Sequence, residues 1–251
     1  LSELCGRERD RAGSDVKRKL VLFDIDGTLL LSAGAGRRAI HAALAEYLPP
    51  ATVLQAIRFD GKTDPQIVME LLEAAGQPGP HEPERIAALC ARYVDLLQLE
   101  LEQQPGKTTL MPGVHSLLDR LEQEDGVVLG LLTGNIALGA ALKLRSGGLD
   151  PDRFRVGAYG SDSALRPELP PIAARRAEPY FGRVPSGDEV VIIGDTPADV
   201  ACGACIDARA VAVATGAYSV SDLMACGPHA AFENLCDTDR VLEAIFAPRV
   251  D

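Results

Sequence analysis

Four short apolar runs punctuate the chain, at residues 19–25 (KLVLFDI), 127–132, 190–193 and 210–214. None alternates strictly between apolar and polar positions, which is the pattern of strands covered on both faces. Segments with helical spacing separate them, at 114–123, 137–144 and 197–204. Strands alternating with helices predict an α/β fold, a Rossmann-like parallel sheet with helices on both faces.

Between the first two runs lie about a hundred residues with no strand pattern. They read instead as three amphipathic helices. Residues 37–48 carry Ile40, Leu44 and Leu48, and residues 84–103 carry Ile86, Leu89, Tyr93, Leu96 and Leu97. The middle helix opens at Asp64-Pro65, read as an N-cap followed by a first-turn proline, and carries Ile67, Leu71 and Leu72. A helical insertion over 34–109, hinged at the glycines and prolines of "SAGAG" and "QQPGKTTLMPG", is expected to form a mobile cap. The core then comprises 19–33 and 110–251. Residues 1–18, polar and without an initiator methionine, read as a flexible or truncated lead-in.

Each chemical signal falls at the carboxyl end of an expected strand, where open α/β sheets bind ligands. In "VLFDIDGTLL" the carboxylates of Asp24 and Asp26 are two residues apart, on one face of a strand, and such a pair calls for a compensating cation. "LLTGN" supplies the Thr133 hydroxyl and the Gly134 and Asn135 amides beside a helix start, a turn suited to a phosphate oxygen. "IIGDTPAD" supplies Asp195 and Asp199, which with Asp24 and Asp26 make a hard-oxygen set for Mg²⁺.

These three motifs, in this order and with a helical insertion after the first, resemble the haloacid dehalogenase (HAD) superfamily, in particular its phosphoglycolate phosphatase-like members with a small helical cap. The resemblance spans about residues 19–235. It implies a Mg²⁺-dependent phosphatase acting on a small phosphorylated metabolite through an aspartyl-phosphate. Asp24 would be the nucleophile and Asp26 the acid/base, with Thr133, Gly134 and Asn135 on the phosphate. Asp24, the Asp26 carbonyl, Asp195 and a supporting Asp199 would hold the metal. Dehalogenases need no acid at the Asp26 position because halide leaves unprotonated, whereas an alkoxide does not. Where such phosphatases carry lysine in "KPxP", this chain has Arg166, with Lys143 a second candidate for that role. In "RFDGKTDPQ", Lys62 and Arg58 are candidates for reading the substrate from the cap. A phosphosugar mutase using the same intermediate and a catalytically silent interaction domain are the competing readings.

Composition narrows the partners. A net charge of −11 disfavours nucleic acid and anionic membranes. No apolar stretch reaches membrane-spanning length and no signal peptide is evident, so a cytoplasmic setting is expected. The Cys202/Cys205 pair has no second pair or histidine to complete a metal site. "GKT" at 61–63 fails as a phosphate loop, since Ala56 stands where glycine is required. "GAGRRA" lies beyond the strand end that dinucleotide binding requires. Several candidates also have plainer readings: Thr196 as a helix cap, Asp199 as a first-turn acid, Lys62 as a solvated lysine, Arg37-Arg38 as a solvated helix face.

Overall fold

The computed structural model describes residues 18–48 and 57–247. The lead-in expected at 1–18 therefore lies outside the described residues, apart from Arg18. Six parallel strands form the central sheet: β1 (Lys19–Phe23), β4 (Val127–Thr133), β5 (Val156–Tyr159), β6 (Val190–Gly194), β7 (Arg209–Val213) and β8 (Ala230–Phe232). Their order is β5-β4-β1-β6-β7-β8. The chain winds from β1 to one side and then returns to its other side at β6. That reversal opens a crevice at the carboxyl end of β1, the place where doubly wound sheets bind ligands.

Side-chain alternation along the strands feeds two cores. Val21, Phe23, Leu129, Leu131, Val191 and Ile193 face one side, while Leu20, Leu22, Leu132, Val190 and Ile192 face the other. Both faces are covered, by α4 (Val114–Gln123) and α9 (Thr238–Phe246) on the first and by α6 (Leu169–Phe181) on the second. The inner strand residues are therefore apolar regardless of their direction, which is why the runs do not alternate. α5 (Ala137–Ser146), α7 (Pro197–Cys202) and α8 (Val220–Met224) complete the core helices.

The chain leaves and re-enters the core through a two-stranded antiparallel neck, β2 (Leu30–Leu31) against β3 (Thr109–Leu110). Between them run α1 (Ala35–Ala43), α2 (Asp64–Ala74) and α3 (Pro83–Gln103), which bury a core of their own around Ile40, Leu44, Leu71, Tyr93 and Leu97. Among the described residues no helix is long and apolar enough to cross a membrane.

Three local expectations are corrected. β1 ends at Phe23 rather than at residue 25, because Ile25 O accepts the Thr28, Leu29 and Leu30 amides in a tight turn. α1 ends at Ala43, and Tyr47 N–H closes a turn on Leu44 O, so the helix does not reach residue 48. The N-cap of α2 is Thr63, whose hydroxyl accepts the Gln66 amide; Asp64 is already inside the helix and its carboxylate goes elsewhere.

Candidate active site

Beyond β1 the turn passes through Gly27 at φ 87°, a left-handed value that favours glycine. A Cβ there would stand 2.4 Å from Asp195 Oδ2, so the missing side chain leaves room for that carboxylate. Asp24 and Asp26 thus project from a turn rather than from a strand face, and each meets a cation of the chain itself. Arg166 Nη2 lies 3.2 Å from Asp24 Oδ1 and also pairs with Asp199 Oδ1. Lys143 Nζ lies 2.6 Å from Asp26 Oδ2. The two candidates for a single cationic role therefore serve different aspartates.

The turn after β4 joins this arrangement. Asn135 Nδ2 donates to Asp26 Oδ2 at 2.9 Å and to Thr133 Oγ1 at 2.7 Å, and its Oδ1 accepts from Lys143 Nζ at 2.6 Å. Gly134 has no room for a side chain, because a Cβ would come within 2.0 Å of Lys62 O on the helical insertion. The loop carrying Lys62 is thus seated directly on the turn after β4.

After β6, Asp195 Oδ1 accepts the Thr28 hydroxyl at 3.2 Å. Asp199 is fully engaged: Oδ2 accepts the Thr196 amide at 3.0 Å and its hydroxyl at 2.6 Å, while Oδ1 holds Arg166. With Thr196 accepting the Asp199 amide, this is a reciprocal cap on α7. Both plain readings of that pair hold, and Asp199 in addition orients the arginine.

Asp24, Asp195 and Asp199 bring one carboxylate oxygen each within 4.8 Å of one another, all buried. Burial chiefly, then the neighbouring Asp199 and Asp26 carboxylates, push Asp24 up to about 6 although Arg166 pulls it down. Burial and the Asp199 and Asp24 charges push Asp195 up to about 9. One guanidinium does not balance three buried carboxylates. The shortfall and the all-oxygen donors fit a divalent cation held by Asp24 and Asp195.

A stability consequence follows. Folded values of about 6 and about 9 lie above the ordinary 3.8, so between them the folded state keeps protons that the unfolded chain has released. Metal-free protein should therefore lose stability as pH rises through this window, and a divalent cation should replace those protons. Thermal melts with added Mg²⁺ should show a larger gain in Tm at about pH 8 than at about pH 5. An equal gain at both values would contradict the assignment.

The cavity over these residues measures about 380 Å³. Lys62 lines it but is paired with Glu70, and Arg58 lies outside the lining, bonded to Asp60 at 2.9 and 3.0 Å. Arg37, which the sequence suggests is a solvated helix residue, instead lines the cavity with its guanidinium 4.0 Å from the Phe59 ring centroid. Among the described residues it has no carboxylate partner. Asp64 and Tyr93 also line the cavity. The sequence marks the first only as a helix cap and the second only as a residue of an amphipathic helix.

A doubly wound sheet with buried carboxylates and a strand-to-helix turn at its switch point is the arrangement in which open α/β folds place ligand sites. A model of the haloacid dehalogenase-like hydrolases matches residues 18–207, and the chain belongs to that family. It is 33% identical over 129 residues to the phosphoglycolate phosphatase of Cereibacter sphaeroides, a match covering 50% of this chain and 55% of that protein. The chain thus spans about half the length of that relative. It is 28% identical over 214 residues to "Probable phosphatase IndB" of Dickeya dadantii, covering 84% and 87% of the two chains. The fold matches that of a hydrolase from Pseudomonas syringae at a TM-score of 0.67 and 23% identity, over 92% of this chain and all of that one.

Proposed function

We propose that the protein is a Mg²⁺-dependent phosphatase that hydrolyses a small, phosphoglycolate-like phosphate ester through an aspartyl-phosphate on Asp24. The observation that carries this reading is the separate pairing of the two aspartates. Asp24 sits among the buried carboxylates beside Arg166, as a nucleophile and metal ligand would. Asp26 sits 2.9 Å from Asn135 and 2.6 Å from Lys143, half-exposed to the cavity, as an acid/base facing a leaving group would.

In this reading Asp24 attacks phosphorus and the ester P–O bond breaks. Asp26, protonated, gives its proton to the departing alkoxide. Asp26 then takes a proton from water as that water attacks the aspartyl-phosphate, which releases inorganic phosphate and restores Asp24. Thr133 and the Gly134 and Asn135 backbone cradle the phosphoryl oxygens. Arg166 Nε, buried without a protein partner, leaves a donor for the same oxygens. Asp24, the Asp26 carbonyl and Asp195, with Asp199 in support, would hold Mg²⁺, which would supply charge neutralisation between two anions. The helical insertion acts as a cap over 34–109 that excludes water, with Arg37 and Lys62 meeting an anionic leaving group.

The described cysteines are free thiols, which supports a reducing, cytoplasmic setting, and the net charge of −11 supports a small-molecule rather than a nucleic-acid partner. Phosphate release from a panel of small phosphomonoesters, with Mg²⁺ and with EDTA, tests the reading. Release that stops with EDTA and resumes with Mg²⁺ is expected, and release unaffected by EDTA would overturn the metal assignment.

A further inference from the structure

Asp64 belongs to α2 in the insertion, yet its polar atoms serve the core. Its amide N–H donates to Gly134 O at 2.8 Å, and its Oδ2 accepts the Ile136 N–H at 2.8 Å. Those two groups flank Asn135, so one residue of the insertion grips the backbone on both sides of it. From the core, Gly160 N–H donates to Asn135 O at 2.9 Å and completes the hold.

Asn135 is the residue whose side chain ties Asp26, Thr133 and Lys143 together. A shift of its backbone would move the amide group that aims Asp26. Starting a helix does not explain Asp64, because Thr63 already caps α2. Nor does ordinary surface placement: Asp64 is 6% exposed, and a buried carboxylate is costly unless it has partners. Its partners are the Ile136 amide and the facing Lys143 ammonium. Thr63 Oγ1 adds a neighbouring bond to Ala164 O at 2.8 Å, so the start of α2 is anchored to the core at two adjacent residues.

We infer that Asp64 is a positioning residue for the acid/base: when the cap is seated, Asp64 fixes Asn135, and Asn135 aims Asp26 at the leaving group. The inference rests on the role proposed above for Asp26. It makes the cap part of the proton-transfer apparatus, beyond its service as a cover. A substrate that seats the cap completes the site that protonates its own leaving group.

The test compares wild type, Asp64→Ala and Asp64→Asn on an alkyl phosphate and on an activated aryl phosphate. Asp64→Ala should lower kcat/KM on the alkyl ester by about ten- to a hundredfold and hardly affect kcat/KM on the aryl ester, whose transfer to Asp24 needs no acid; kcat/KM leaves out the later hydrolysis of the aspartyl-phosphate, which both esters share. Asp64→Asn keeps an oxygen for the Ile136 amide and should recover most of that rate. Equal losses of kcat/KM on the two esters, no loss on the alkyl ester, or no recovery in Asp64→Asn would overturn the inference. Hydrogen exchange gives a readout that needs no turnover and no variant. In wild type, inorganic phosphate with Mg²⁺ should slow exchange in residues 60–67 and 133–137 together. Slowing confined to 133–137 would show that the cap does not grip the turn. If wild type turns over no ester, the phosphatase reading fails, while the exchange result still decides the clamp.

Discussion

Asp24→Asn should abolish phosphate release, by at least about 10⁴-fold in kcat, while the protein folds as well as wild type. An amide of the same shape fills the same space but is a poor nucleophile. The fold should tolerate it because Arg166 keeps its pair with Asp199, so no buried cation is stranded. Burial and neighbouring carboxylates already push Asp24 up to about 6, which means that its charge is a burden to the metal-free fold near neutrality. Removing that charge should therefore leave the metal-free Tm equal to or above that of wild type. Loss of activity together with loss of the fold would instead make Asp24 a structural residue.

The second large effect is selective. Asp26→Asn should slow alkyl phosphates by about 10²- to 10⁴-fold but activated aryl phosphates by no more than about tenfold. An alkoxide must be protonated as it leaves, whereas a stabilised aryl oxide departs without help. Lys143 and Asn135 keep an oxygen to bond at position 26, so the asparagine should sit where the aspartate sat. Equal losses on the two classes of ester, measured as kcat/KM, would remove the acid role from Asp26.

Much of this was legible before the structure, and what was not shares a cause. The central strands announce themselves because both faces of β1, β4, β6 and β7 are buried, so nearly every position inside them is apolar and the polar ones, Lys19, Thr133 and Arg209, stand at strand ends. β5 reads VGAY and β8 reads AAF, and runs so short and so rich in small residues carry no period to detect. The site followed the same division. Asp24, Thr133 and Asp195 sit at strand ends, where local pattern and general topology coincide.

Which cation meets which aspartate is a long-range matter that spacing cannot express: Asp26 and Lys143 are 117 residues apart, and Arg166 and Asp199 are 33 apart. Arg37 and Asp64 escaped notice for that reason. On its own helix Arg37 is one polar residue among several, and only the position of Phe59 turns it into a cavity cation. Asp64 looks like a helix start until the Ile136 amide, 72 residues away, is seen to need its carboxylate.

The central claim is that phosphate passes through a covalent bond to Asp24. The most direct measurement is to quench the enzyme in acid during turnover of its best ester, reduce any acyl phosphate with borohydride and map the peptides by mass spectrometry. The account predicts homoserine at position 24 in wild type with Mg²⁺, and none in protein treated with EDTA beforehand. An unmodified Asp24 in enzyme caught releasing phosphate, or a reduced acidic residue at any other position, would contradict it.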